Sequence, residues 1–293
     1  MKKFDRGHFK PYLSKRNIIF ISVLLIPIIY TLILFIIDDS EQYQRLGSAN
    51  YQENASPLHC ESGTKSGALG KTFGEESRDG IKYNVRTPSN YNPTIGHPLL
   101  MVYSPAKANR AGNEALTGLT YKATKAGFIV AYADHPELSP TSTIELGTIP
   151  SLIAKKWCID QQRIYLTGHS DGGTSAMALA FMNGTKHIPK AIAPSAAGIN
   201  YQDLRNVSCP DPLPVLIMHS INDHLFPGYG SESSGRWAYC NKCGTIPEKM
   251  KNGCFAYTNC ANGVKTWYCE GNKLHAQWPE INSIMLDFFK SSN

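Results

Sequence analysis

Ser170 stands at the centre of Gly168-His169-Ser170-Asp171-Gly172, between a strand-like run, Ile164-Tyr165-Leu166-Thr167, and a helix-forming run that begins at Thr174. The arrangement fits G-x-S-x-G, a sharp strand-to-helix turn that lifts a serine hydroxyl above a sheet. Glycines suit such a turn because it has no room for side chains and holds the serine in a strained backbone conformation. The pattern alone is a weak signal, since a Gly-rich turn with a solvated serine also fits it. A serine hydroxyl becomes a good nucleophile only when a base takes its proton and a third group orients that base. On a strand-turn-helix scaffold of this kind the partners follow in the order Ser, acid, His.

Asp223 meets the positional requirement for the acid. It lies in the turn after the apolar run Val215-Leu216-Ile217-Met218-His219. Asp134 also follows an apolar run but precedes the serine, and Asp211 lies before its run rather than after it. Beside Asn222, Asp223 could equally be a plain turn-former. Among nine histidines, His275 sits in the loop before the C-terminal helix, where the base is expected. His219 and His224 flank the acid and stay open as alternatives; His97 and His187 fall near the wrong ends of elements. An oxyanion hole needs two aimed N–H donors. The backbone N–H of Asp171 is one candidate. The other comes from the loop Ser104–Gly112, where Pro105 has no N–H and Ala106 is the candidate.

These residues need a scaffold. Strand-like runs at 81–88, 97–105, 128–134, 163–168, 190–198 and 213–220 alternate with helix-like runs at 114–127, 143–157, 174–182 and 279–292. The 143–157 run contains Pro150 and is expected to break or begin there. Strands alternating with helices imply an α/β fold, a mostly parallel sheet with helices on both faces. Residues 225–268 are rich in Gly, Asn, Cys and aromatics and lack a period. They read as a disulfide-tied excursion over the carboxyl end of the sheet, where open α/β folds bind ligands.

The chain has 293 residues, 42% of them hydrophobic and 18% charged, which is globular composition. Its net charge of +6 is concentrated at the start. Residues 1–16 carry six basic residues against Asp5, so the rest is close to neutral and does not argue for nucleic acid. Residues 17–37 hold no charge and are long enough to span a hydrocarbon core. Basic residues before this segment and Asp38, Asp39 and Glu41 after it put residues 1–16 in the cytoplasm. The reading is an N-terminal transmembrane signal-anchor, a polar tether over 38–59, and an extracytoplasmic (periplasmic or extracellular) domain over 60–293. A cleaved signal peptide is the rival, with "GSAN" at 47–50 as a late site. All eight cysteines lie after the anchor. Disulfides and zinc compete, because "CNKC" at 240–243 looks like a metal knuckle; an even count in an exported domain favours disulfides.

Taken together, Cys60, "YNVRTPSNYNPTIGHPLLMVYSP", "WCIDQQRIYLTGHSDGG", "CPDPLPVLIMHSINDHLFP", "RWAYCNKC" and "HAQWP" resemble the polyhydroxybutyrate depolymerase and feruloyl esterase group of exported α/β-hydrolases. The resemblance covers about 60–293. It implies a catalytic triad of Ser170, Asp223 and His275. It also implies a carboxylic ester hydrolase without metal or cofactor that works through an acyl-enzyme, and a Cys243–Cys260 disulfide. Trp278, with His169 and the 225–268 excursion, is expected to shape the substrate pocket. The substrate would be a small or oligomeric ester: a polyhydroxyalkanoate oligomer, a feruloyl or acetyl ester, or similar. Two departures stand out. Relatives usually carry His-Gly where this chain has Ser104-Pro105. Asp171 stands where they often have a small residue or Asn, and its carboxylate is expected to point outward, favouring the N-terminus of the following helix. A serine peptidase on the same fold and a non-catalytic binding protein with a relic site are the other readings.

Overall fold

The computed structural model describes residues 44–52 and 58–292. In chain order the elements are β1 (Glu75–Glu76), β2 (Lys82–Arg86), β3 (His97–Tyr103), α1 (Arg110–Thr117), α2 (Thr120–Lys125), β4 (Ile129–Ala133), α3 (Pro140–Lys156), β5 (Ile159–His169), α4 (Asp171–Phe181), β6 (Ala191–Ser195), α5 (Tyr201–Leu204), β7 (Val215–Ser220), α6 (Tyr229–Cys240), β8 (Glu248–Lys249), β9 (Phe255–Tyr257), β10 (Thr266–Gly271) and α7 (Asn282–Lys290). The strands form one ten-stranded sheet in the order β1-β2-β4-β3-β5-β6-β7-β10-β9-β8. Its centre, from β4 to β10, is parallel, and an antiparallel ribbon closes each edge.

Central strands are apolar throughout because both faces are covered. In β3, Leu99, Met101 and Tyr103 pack with α3 and α4 on one face, while Leu100 and Val102 pack with α2 and α7 on the other. Successive side chains on a strand point to opposite faces, so one run feeds two cores. The loops after β5, β6 and β7 therefore open on the same end of the sheet.

Several elements differ from the sequence reading. The helix expected over 114–127 is two helices, divided at Gly118 in the left-handed region (φ 55°). Helix α3 starts at Pro140, where Ser139 and Ser142 form a reciprocal capping box, and it runs through Pro150 unbroken. The 225–268 excursion is regular in part: it holds α6, β8, β9 and the start of β10. Helix α6 carries little apolar period because its covered side includes Ser233 and Ser234 beside Trp237 and Ala238. Strand β10 pairs in parallel with β7 over six residues, from Thr266–Val215 to Gly271–Ser220. It is thus a sheet member, cut short by a boundary drawn at 268.

Of the segment read as a tether, 38–59, residues 44–52 and 58–59 are described, and they hydrogen-bond to the domain: the Gly47 N–H donates to Thr124 Oγ1 (2.7 Å), Ala49 and Asn90 exchange two hydrogen bonds, and Leu58 O accepts from Gly96 N (2.9 Å). The transmembrane segment expected at 17–37 lies outside the described residues. Among the described residues no helix is long and apolar enough to cross a membrane. The eight cysteines pair as Cys60–Cys158, Cys209–Cys240, Cys243–Cys260 and Cys254–Cys269. Cys240 and Cys243 go to different partners, so "CNKC" is not a metal knuckle.

Candidate active site

Strand β5 ends at His169 and α4 begins at Asp171, leaving Ser170 alone in the turn at φ 54°, ψ −118°. A non-glycine residue there stores roughly 1–3 kcal/mol of strain, which the surrounding contacts must hold. The serine N–H donates to Ser195 O (2.9 Å), and its carbonyl accepts from Thr174 N (2.8 Å). The glycines make the close approach possible. A Cβ on Gly173 would come 2.5 Å from Ser195 O, one on Gly168 would come 2.5 Å from the Gly172 carbonyl carbon, and one on Gly172 would run into the Tyr103 carbonyl.

Asp223 follows β7 in a tight turn, its N–H donating to Ser220 O (3.0 Å). Oδ1 accepts the N–H groups of Leu225 and Phe226, each at 3.0 Å. Oδ2 accepts from His275 Nδ1 at 2.8 Å, and His275 Nε2 lies 2.9 Å from Ser170 Oγ. Burial pushes the Asp223 carboxyl up, but the His275 and Phe226 hydrogen bonds outweigh it, so the group is held below the usual carboxylate range. An ionised Asp223 accepts a hydrogen bond from the Nδ1–H of His275 and keeps the proton on that nitrogen, which leaves Nε2 free to accept the serine proton. Ser170, His275 and Asp223 thus stand in line although they are far apart in the chain.

A second layer supports this line. His169 is 2% exposed. Its Nε2 donates to the backbone carbonyl of His275 (2.6 Å), and Nδ1 accepts from Ser195 Oγ (3.0 Å). Burial lowers its pKa to about 4, so the ring is neutral under ordinary conditions. Phe226 packs edge-on against the His275 ring, with centroids 5.0 Å apart. His219 Nε2 donates to Phe226 O (2.9 Å), and burial lowers its pKa too. It therefore stands beside Asp223 as a neutral neighbour, and His275 is the histidine that reaches the serine.

Trp278, expected to shape the substrate pocket, lines a shallow cleft beside Gln277 and Pro279. It is 8% exposed and packs in the core with α7; its indole N–H donates to Asn282 Oδ1 (2.7 Å) and its ring meets His169 edge-on at 6.0 Å. His169 lines a small enclosed cavity with Ser195, His219, Asp223 and His275. Ile221 and Leu225, which flank Asp223 in the chain, and Leu274, next to His275, are exposed. The carboxylate of Asp171 is engaged by His135 Nε2 at 2.9 Å, in the loop after β4, so it turns sideways to a partner rather than freely outward. Ala106 is exposed in the turn after β3, whose carbonyls at Tyr103 and Ser104 lie against Gly172. The sequence reading missed His135, Ser195 and Phe226. The first two stand at or just beyond the carboxyl ends of β4 and β6, which is the signal that could have found them.

The chain and its fold have counterparts among known proteins. The chain is similar to a feruloyl esterase. Feruloyl esterase B of Piromyces equi is 25% identical over 224 residues, covering 65% of this chain and 41% of that protein. The chain therefore spans about two fifths of the length of that relative. No protein-family model matches it. Among solved structures, an acetyl xylan esterase from Aspergillus awamori covers 76% of this chain and 99% of its own, with a TM-score of 0.58 and 15% identity. A truncated carbohydrate esterase from gut microbiota covers 80% and 99%, with a TM-score of 0.54 and 14% identity. The chain has the α/β fold of these esterases, with its mostly parallel sheet.

Proposed function

We propose that the protein is a serine hydrolase that cleaves carboxylic esters through an acyl-enzyme. The observation that carries this reading is the unbroken line from Ser170 Oγ to His275 Nε2 (2.9 Å) and from His275 Nδ1 to Asp223 Oδ2 (2.8 Å), with the serine on a strained turn. His275 takes the hydroxyl proton as Ser170 attacks the ester carbonyl. The N–H groups of Asp171, at the start of α4, and Ala106 hold the oxyanion. The tetrahedral adduct collapses, His275 protonates the departing alcohol, and the acyl group stays on Ser170. Water, deprotonated by His275, then releases the acid. Asp223 stays ionised and fixes the imidazole.

The similarity in sequence to a feruloyl esterase favours an ester over a peptide bond. Acyl groups borne on plant-type polysaccharide, feruloyl or acetyl, are the substrate class we favour, and the exposed apolar side chains of Ile221, Leu225 and Leu274 suit the acyl part. Four disulfides support an extracytoplasmic catalytic domain. The uncharged stretch 17–37 supports attachment to a membrane.

The test is labelling of the full chain with a fluorophosphonate probe, alongside turnover of 4-nitrophenyl acetate. Both should be present in the wild type and absent in Ser170→Ala. A folded, disulfide-bonded wild type that neither labels nor turns over would overturn the reading.

A further inference from the structure

One open trough of about 510 Å³ lies between α5 and α6, away from Ser170. Glu232, Gly235, Arg236 and Tyr239 of α6 line it at i, i+3, i+4 and i+7, one face of the helix. Tyr201 and Arg205 line the opposite wall. Tyr239 is 71% and Tyr201 46% exposed, a large aromatic area for a monomer to leave in water. Arg236 is 8% exposed, yet its Nε–H has no hydrogen-bond partner. One of its terminal nitrogens donates to Val207 O (2.7 Å), and its guanidinium carbon stands 5.1 Å from the Tyr239 ring centre. A Cβ on Gly235 would meet nothing within 4 Å. Glycine inside a helix costs about 1 kcal/mol relative to alanine, and here it keeps the floor of the trough open.

The trough is joined to the catalytic line through packed groups. Phe226 touches His275 and stacks on Tyr229, the first residue of α6, with centroids 5.3 Å apart. One turn on, Glu232 Oε2 accepts from the N–H of Tyr201 at 3.4 Å. From Glu232 to Tyr239 the helix rises about 10 Å, so the trough leads away from the rim of the site.

The chemistry of the lining selects a ligand class. A purely apolar ligand would cover the exposed charges of Glu232 and Arg205 without pairing them, which is costly. A strongly anionic ligand would meet Glu232. A sugar ring has an apolar C–H face for the tyrosines and a belt of hydroxyls that can accept from arginine and donate to glutamate. We propose that the trough between α5 and α6 is a saccharide-binding subsite that holds polysaccharide while Ser170 acts on an ester it bears. The placement of the polymer beside Ser170 rests on the esterase reading above; the binding itself does not.

The experiment is affinity electrophoresis of the full chain carrying Ser170→Ala, through gels containing de-esterified soluble xylan, mannan or glucan. At least one polysaccharide should retard the protein. Adding Gly235→Leu, which favours the helix while filling the trough, or Tyr239→Ala should raise the apparent Kd about tenfold, the equivalent of one lost stacking contact. In the Ser170-containing protein the same two changes should raise KM for acetylated xylan and leave kcat/KM for 4-nitrophenyl acetate unchanged. No retardation by any of the three polysaccharides, or retardation that both substitutions leave intact, overturns the subsite. Retardation that both substitutions relieve, in a protein whose Ser170 form cannot hydrolyse 4-nitrophenyl acetate, supports the subsite and overturns the esterase reading, so the two failures are distinguishable.

Discussion

His169 is the neighbour of the proposed nucleophile in the chain, and its side chain holds the proposed base. Its Nε2–H fixes the His275 carbonyl, while the Ser195 hydroxyl donates a hydrogen bond to its other nitrogen. A phenylalanine at 169 would keep the volume and lose both bonds. His169→Phe should lower kcat for a small ester about ten- to hundredfold, the cost of a loosely placed base, and leave KM nearly unchanged; steady-state kinetics reads this. The buried neutral ring also carries a pH signature. Its folded pKa of about 4 lies below the unfolded value of about 6.5, so its effect vanishes above pH 6.5. As pH falls from about 6.5 towards 4, the unfolded state takes up a proton that the folded state refuses, and stability drops by up to about 3 kcal/mol. Denaturant midpoints measured across that range should fall less steeply in His169→Phe than in wild type.

The turn from β5 into α4 is an element-scale device. Gly168, Gly172 and Gly173 each lie where a side chain would strike backbone of the turn itself, of β3 or of β6. Backbone cannot yield as a flexible side chain can, so Gly172→Ala must push α4 away from β3. It should destabilise the protein by about 3 kcal/mol or more, in the range of an overpacked core site with added backbone strain. Urea unfolding followed by tryptophan fluorescence reads this directly. Ser170→Ala, by contrast, should leave stability close to wild type, because the Ser170 contacts that fix the turn are made by its backbone.

Across the whole molecule, Cys60–Cys158 ties the opening loop to the start of β5 over a separation of 98 residues. In the chain-entropy account a loop of that size contributes roughly 4–5 kcal/mol. Replacing both cysteines by serine should lower the urea midpoint accordingly. The folded fraction should still label with fluorophosphonate, because this bridge lies at the amino-terminal edge of the sheet, opposite Ser170. Cys254–Cys269 is different, since it fastens β10, the strand that leads into the His275 loop.

The chain order Ser170, Asp223, His275 and the glycines of the turn were legible from sequence, because a nucleophile turn is local: its steric demands fall on adjacent residues. The strands were legible for the same kind of reason, since burial on both faces writes continuous apolar runs. Strand β10 and helix α6 were not, because their burial is shared with polar and small residues whose cover comes from elsewhere in the chain. The partner of the Asp171 carboxylate, the prop beneath His275, the seat of Trp278 in the core and the trough beside α6 all depend on contacts between segments distant in sequence. Residue types and spacing determined which groups could react and in what order they occur. Packing decided what holds His275 against the serine, because hydrogen-bond geometry is set in space and not along the chain.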